Sequence, residues 1–293
     1  MDHSHSLSDK TILITGATSG IGLAAAHALA GMGAVILGVG RSKESCAQAA
    51  EDIRKANSND HIHFFTADLS SQRQVRQLAK EVTTHVKNNS GKLDVLVNNA
   101  GVVKAWYTAT EDGYEMQFAV NHLAPFLLTH ELMPLLQAAP EGRILTVSSK
   151  SHRNMRIFWN DVMMRRFYTF ILAYKQSKLA NVLFTLGLNH RLANSPNVRA
   201  YAIDPGLVNT SIGLKNNPAI IRWGWSIRRK KGANPSDAAK TLVHVASSPK
   251  LNPPDGIYWK NCRSIPPSPY AQRLDVVDRL WELSERLCGI SNQ

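Results

Sequence analysis

Apolar residues fall along this chain in short, β-branched runs that alternate with longer stretches of helical period. Thr11-Ile12-Leu13-Ile14-Thr15 reads as a strand, Leu23 to Ala30 as a helix, and a glycine-rich turn separates them. The alternation continues with strand 34–39, helix 43–56, strand 61–66, helix 72–87, strand 93–98, a long helical segment 112–136 and strand 143–147. A central helix carries 173–178, followed by strand 198–203, helix 235–246, a short strand 256–258 and a terminal helix 268–287. Repeated strand-helix-strand units predict an α/β fold: a single Rossmann-type, doubly wound parallel sheet with helices on both faces and ligands at the strands' C-terminal ends. Residues 1–9 read as a flexible leader and 10–293 as one domain, since no Ser/Gly/Pro-rich linker, low-complexity block or internal repeat divides the chain.

Composition narrows the setting. An apolar share of 44% is ample for a buried core, and no segment approaches the roughly 18 unbroken apolar residues of a membrane span. The N-terminus lacks the basic-then-apolar order of a signal peptide, and the C-terminus carries no prenylation or peroxisomal signal. A cytoplasmic protein is expected. Cys46, Cys262 and Cys288 are too far apart for a metal knuckle and read as reduced thiols. His3 and His5 belong to a polar leader, and no metal is assigned. Lys and Arg exceed Asp and Glu by 34 to 22, a net charge of +12. That balance favours anionic ligands, but the basic residues are scattered and no nucleic-acid motif is present, so no specific nucleic acid is expected as a partner.

The candidate chemistry gathers at the predicted strand ends. Gly16, Gly20 and Gly22, with Ala17, Thr18, Ser19 and Ile21 between them, stand between a strand and a helix. Glycines let the backbone approach a pyrophosphate, and the helix N-terminus offers unpaired amides and a positive dipole end. About twenty residues on, where a carboxylate would hold the ribose of NAD, stands Arg41, which suits the extra phosphate of NADP(H). Asp68-Leu69 and Asn98-Asn99-Ala100-Gly101 follow two further strands, and Asn121 lies in an apolar helix, where its amide must find partners. Ser148-Ser149 ends another strand. Tyr174 and Lys178, at i and i+4, share a helix face. A lysine beside a phenol favours the phenolate and brings its pKa down from about 10, which makes Tyr174 a candidate general acid/base.

Taken in order, Thr15-Gly16-Ala17-Thr18-Ser19-Gly20-Ile21-Gly22, Asn98-Asn99-Ala100-Gly101, Asn121, Ser149, Tyr174-x-x-x-Lys178 and Pro205-Gly206 closely resemble the short-chain dehydrogenase/reductases. Val120-Asn121-His122-Leu123, Val147 to His152, Ser177 to Phe184 and the tail Leu280 to Leu287 look most like the retinol-dehydrogenase-like branch, and most of all the oxidoreductase domain of the WW-domain-containing oxidoreductase. The resemblance implies a catalytic set of Asn121, Ser149, Tyr174 and Lys178, with Ser149 polarising the substrate oxygen, Tyr174 exchanging a proton and Asn121 holding a water in a proton relay. It implies cofactor contacts from Gly16, Thr18, Ser19, Gly20, Ile21, Gly22, Arg41, Asp68, Leu69, Asn98, Ala100, Gly101, Tyr174, Lys178, Pro205, Gly206, Val208 and Thr210. Asp68 would sit by adenine and Asn98 near the adjoining ribose. A substrate flap is expected at about 207–233 and a C-terminal extension from about 264. Ser149 and Tyr174 are 25 positions apart, so residues 153–170 must fold over the site or pack beside it.

The expected activity is NADP(H)-dependent hydride transfer to a lipophilic carbonyl or from its alcohol, a retinoid, steroid or similar molecule, with reduction as the cellular direction. Trp106 and Tyr107, with Ile212, Leu214, Ile220, Ile221, Trp223 and Trp225, are expected to form an apolar lining, although such residues also fill cores. The aromatic and basic stretch 220–231 suits peripheral contact with an anionic membrane, and the family's long helices suit a homodimer. The competing reading is an NADP(H)-binding interaction or sensor protein with little turnover.

Overall fold

The computed structural model describes residues 6–207, 233–251 and 256–290. Its centre is one eight-stranded sheet in the order β3-β2-β1-β4-β5-β6-β7-β8. The strands are β1 (Thr11–Thr15), β2 (Val35–Gly40), β3 (Ile62–Thr66), β4 (Val95–Asn98), β5 (Gly142–Val147), β6 (Val198–Asp204), β7 (Tyr258–Lys260) and β8 (Arg263–Ser264). All neighbours pair in parallel except β7 with β8. The order reverses beside β1, where β2 lies on one side and β4 on the other, and in such sheets ligands bind in the crevice beyond that switch point.

Side-chain alternation explains how one sheet supports two cores. Leu13, Leu37, Leu96 and Ile144 point to one face and Ile12, Ile14, Ile36, Val97 and Leu145 to the other. The first face is covered by α3 (Gln72–Asn88), α5 (Ala124–Gln137), α6 (Phe170–Arg191) and α8 (Leu274–Cys288). The second is covered by α1 (Gly20–Ala30), α2 (Lys43–Asn57) and α7 (Pro235–Ser247). Serine caps set two of the starts: Ser42 Oγ accepts from Ser45 N–H, and Ser71 Oγ from Gln74 N–H.

Three segments depart from the sequence expectations. The leader is shorter than nine residues, because Leu7 is buried and its N–H donates to Met32 O at 2.8 Å. The helix expected over 112–136 begins later, as α4 (Met116–Phe118), a π turn (Ala119–Leu123) and α5. Gly113, at φ +80°, is incompatible with a helix there, and the Glu115 carboxylate caps α4 by accepting from Gln117 and Phe118 N–H. The terminal helix 268–287 is divided into a 3-10 turn (Pro269–Gln272) and α8. The expected flap lies almost entirely outside the described residues, as do Val208, Thr210 and the 220–231 stretch. No helix among the described residues is long and apolar enough to cross a membrane.

The C-terminal helix is anchored through the π turn. His122 is fully buried, and its Nε2 lies 2.8 Å from Ser284 Oγ on α8. Burial pushes the imidazole down from the ordinary 6.5 to about 3. The unfolded chain therefore binds more protons between those two values, so stability present above about 6.5 is lost as the pH falls towards 3. His122→Phe is expected to flatten this acid decline, read as the urea midpoint against pH in parent and variant.

Candidate active site

A cavity of about 460 Å³ opens along the C-terminal ends of β1, β2, β4 and β5. Gly16, Thr18, Ser19, Gly20 and Ile21 form one end with Arg41, Asp68 and Leu69; Ala100 and Gly101 form its middle; Ser149, Tyr174, Lys178, Pro205 and Gly206 close the other. Fifteen residues singled out from the sequence thus line one continuous space.

The dinucleotide end is shaped by close packing. Gly16 adopts φ +68° and Gly20 φ +58°, conformations that β-carbons disfavour. A Cβ on Gly22 would lie 2.3 Å from Gly16 O and 2.4 Å from Asn99 Nδ2. Gly22 does not line the cavity; it lets α1 close onto the turn. Ser19, the N-cap of α1, makes no side-chain cap bond, so its hydroxyl does not occupy the first-turn amides. Among the described residues no ion pair engages Arg41, whose side chain is exposed at the cavity rim. Asp68 Oδ1 accepts from Ser70 N–H at 2.9 Å.

At the opposite end, α6 delivers Tyr174 and Lys178 from one face, capped by Thr169 Oγ1, which accepts from Leu172 N–H. Lys178 Nζ lies 5.7 Å from the Tyr174 ring centroid and donates to Val147 O at 2.9 Å. Burial brings its ammonium down to about 8. Ser149 follows β5 in extended conformation and starts a 3-10 turn (Lys150–His152). Its Oγ accepts from Ser151 N–H at 3.2 Å. Ser148 braces the junction below: its Oγ donates to Lys178 O at 2.8 Å and its N–H to Ile203 O at 2.8 Å.

Besides Gly22, two further expected site residues have side chains outside the lining. The Asn98 side chain is buried beneath the floor and donates to Thr129 Oγ1 at 3.1 Å. Its neighbour Asn99 lines the cavity and braces the glycine turn, with Nδ2 donating to Thr15 O at 2.8 Å. Strand pleating decides this, since successive side chains leave a strand end in opposite directions. Asn121 is also outside the lining, fully buried in the π turn. Its Oδ1 accepts from Val102 N–H at 2.7 Å, and its Nδ2 donates to Val102 O at 3.1 Å and Ser177 Oγ at 3.0 Å. Both amide hydrogens and one oxygen lone pair are used there, and they fix the loop after β4 against α6.

Gly40 and Val102 line the cavity without having been singled out from the sequence, and Asn99 and Ser148, which stand in its motifs, were given no site role. The Asn98-Asn99 pair carried a signal but not which member faced the ligand; for Gly40 the signal was a glycine ending a strand. Residues 153–169 pack beside the site: Gln176 Oε1 accepts from Phe158 N–H at 2.8 Å, and Tyr168 Oη donates to Lys104 O at 2.7 Å. Trp106 and Tyr107 do not line the cavity, contrary to expectation. Trp106 is 69% exposed, and Tyr107 packs edge-on against Tyr168. Val102, Val103, Met116 and Val120 supply the apolar wall.

A family model described as short chain dehydrogenase matches residues 10–220. The chain belongs to the short-chain dehydrogenase family. It is an oxidoreductase related to the retinol dehydrogenases: retinol dehydrogenase 14 of Mus musculus is 36% identical over 297 residues, covering 96% of this chain and 86% of that one. Retinol dehydrogenase 13 of Mus musculus is 37% identical, with 96% and 84% covered. Among solved structures, a protein from Mycobacterium paratuberculosis superposes with a TM-score of 0.76 at 30% identity, covering 97% of this chain and 95% of that one. An Escherichia coli CFT073 protein solved with NADPH shares the fold, with a TM-score of 0.65 at 24% identity and coverage of 85% and 94%.

Proposed function

We propose that this oxidoreductase uses NADP(H) to interconvert a lipophilic carbonyl compound and its alcohol, a retinoid, steroid or similar molecule, chiefly by reduction. The observation that carries the proposal is the single cavity that joins an open helix N-terminus and Arg41 to Ser149, Tyr174 and Lys178. The glycine cradle leaves room for a pyrophosphate, and Arg41 meets the extra phosphate. Asp68 and the backbone at Ala100 and Gly101 hold the adenosine half; Lys178, Pro205 and Gly206 hold the nicotinamide half. When bound, the nicotinamide supplies or accepts the hydride. Ser149 Oγ donates to the substrate oxygen, and the Tyr174 phenol gives it a proton. The Lys178 ammonium beside Tyr174 eases that proton's departure. Asn121 fixes Val102 against α6 and, as the family resemblance implies, holds a water of the proton relay. Val102, Val103, Met116 and Val120 receive the apolar body of the substrate. The retinol dehydrogenase relatives and the neighbour solved with NADPH support this choice of substrate and cofactor.

The test is NADPH oxidation by purified protein across retinal, a steroid ketone and small lipophilic carbonyls, with NADH in parallel. Turnover with NADPH on an apolar carbonyl is expected; tight NADPH binding without turnover on any member contradicts the reductase reading. Arg41→Ala is expected to weaken NADPH about tenfold or more while leaving NADH within about twofold, since only one cofactor carries the phosphate. An unchanged ratio of the two dissociation constants removes Arg41 from that role.

A further inference from the structure

The catalytic end of the cavity rests on a buried imidazole outside its lining. His152 is fully buried, with Nδ1 2.8 Å from Ser149 O, while Ser268 N–H donates to its Nε2 at 3.1 Å. A backbone N–H can only donate, so Nε2 must be unprotonated; the ring proton therefore sits on Nδ1 and is given to the Ser149 carbonyl. The same ring lies tilted against Tyr258, 4.8 Å between centroids. Tyr258 Oη donates to Asp204 Oδ2 at 3.0 Å, and Asp204 Oδ1 accepts from Gly206 N–H at 2.9 Å. The two loops assigned to substrate and nicotinamide, at Ser149 and at Pro205-Gly206, thus share one buried support. The C-terminal extension closes that support, with a second tie from Arg153 Nη2 to Pro266 O at 2.6 Å.

We propose that His152 is a positioning residue that holds the Ser149 backbone for catalysis, and that the C-terminal segment 266–268 sets its tautomer and so completes the active site. The proposal rests on the assignment of Ser149 given above. Because the buried Ser268 O–H has no partner among the described residues, the contribution of this residue comes through its backbone. Ser268 has φ −65°, the value proline imposes, so Ser268→Pro suits the local dihedral while it deletes the N–H donor and puts its ring Cδ where that hydrogen met His152, which displaces the imidazole as well as unpairing it. Ser268→Ala keeps that N–H and is the reference.

In the full chain, with NADPH and all-trans-retinal as probes, Ser268→Pro is expected to lower kcat at least about tenfold relative to Ser268→Ala, since it removes one hydrogen bond beneath a catalytic group and displaces the imidazole that made it. KM and the NADPH Kd should stay within about twofold. His152→Phe keeps a ring and loses both bonds, so it should fall at least as far; His152→Asn, whose amide can replace Nδ1 as donor, should recover part of kcat. Parental kcat in folded Ser268→Pro and His152→Phe overturns the proposal, as do equal losses in His152→Phe and His152→Asn. Amide exchange across 149–153 gives a readout independent of turnover: it should quicken in Ser268→Pro relative to Ser268→Ala, and unchanged exchange overturns the tie. Retained turnover in Ser149→Ala would instead strike at the assignment of Ser149.

Discussion

Tyr174→Phe is expected to lower kcat by about 10³-fold while leaving NADPH affinity within about twofold. The substitution removes one oxygen from a half-buried ring at the cavity wall and keeps the ring that packs there. What it takes away is the group that can give a proton to the substrate oxygen. Lys178 is a poor substitute, because one of its donors is bound to the Val147 carbonyl and the others serve the nicotinamide half. Ser149 can polarise an oxygen but is a much weaker acid than a lysine-assisted phenol. Steady-state rates with a carbonyl that the parent reduces, beside NADPH titrations by fluorescence, separate the two quantities. A variant within tenfold of the parental kcat would remove Tyr174 from the proton-donating role.

Gly22→Ala is expected to weaken NADPH binding by about a hundredfold and to lower stability by about 1–3 kcal/mol, although the residue lies outside the cavity. The new Cβ would stand 2.3 Å from Gly16 O, a backbone atom held in place by its own positive-φ turn. Gly16 O is backbone, and Asn99 Nδ2, the second close atom, is a side-chain end tied to Thr15 O, so α1 must retreat from the turn that it closes. Retreat carries the first-turn amides away from the phosphate position, so affinity falls with packing. Thermal unfolding and NADPH titration measure the two effects; an alanine variant with parental affinity would show that α1 need not sit where the glycine allows.

The sheet was legible because its strands are short, β-branched and separated by amphipathic helices, so the period changes at almost every true boundary. The irregular helical segment around Asn121 was not, since a π turn keeps the apolar pattern of an α-helix while shifting which atoms are paired. At the site, the residues read from glycine spacing and from Tyr174-x-x-x-Lys178 share one cavity, because close backbone approach and a helix-face pair are local features. Asn98, Asn121 and Trp106 were placed less well. Each depends on which way a side chain leaves a strand end or loop, and that is fixed by distant contacts: Thr129 for Asn98, Ser177 for Asn121. The role proposed for His152 is more remote still, because Ser268 lies 116 residues away and acts through its backbone.

Hydride transfer from NADPH to a carbonyl carbon can be followed directly. Purified protein is mixed with NADPH carrying deuterium at each face of nicotinamide C4 in turn, together with all-trans-retinal and a steroid ketone, and the alcohol products are analysed by mass spectrometry. Deuterium from one face is expected at the new carbinol carbon, and Tyr174→Phe is expected to abolish the transfer while still binding NADPH. NADPH bound tightly by the parent, with no label reaching any carbonyl offered, would contradict the assignment of a reductase and support a cofactor-binding protein that acts without turnover.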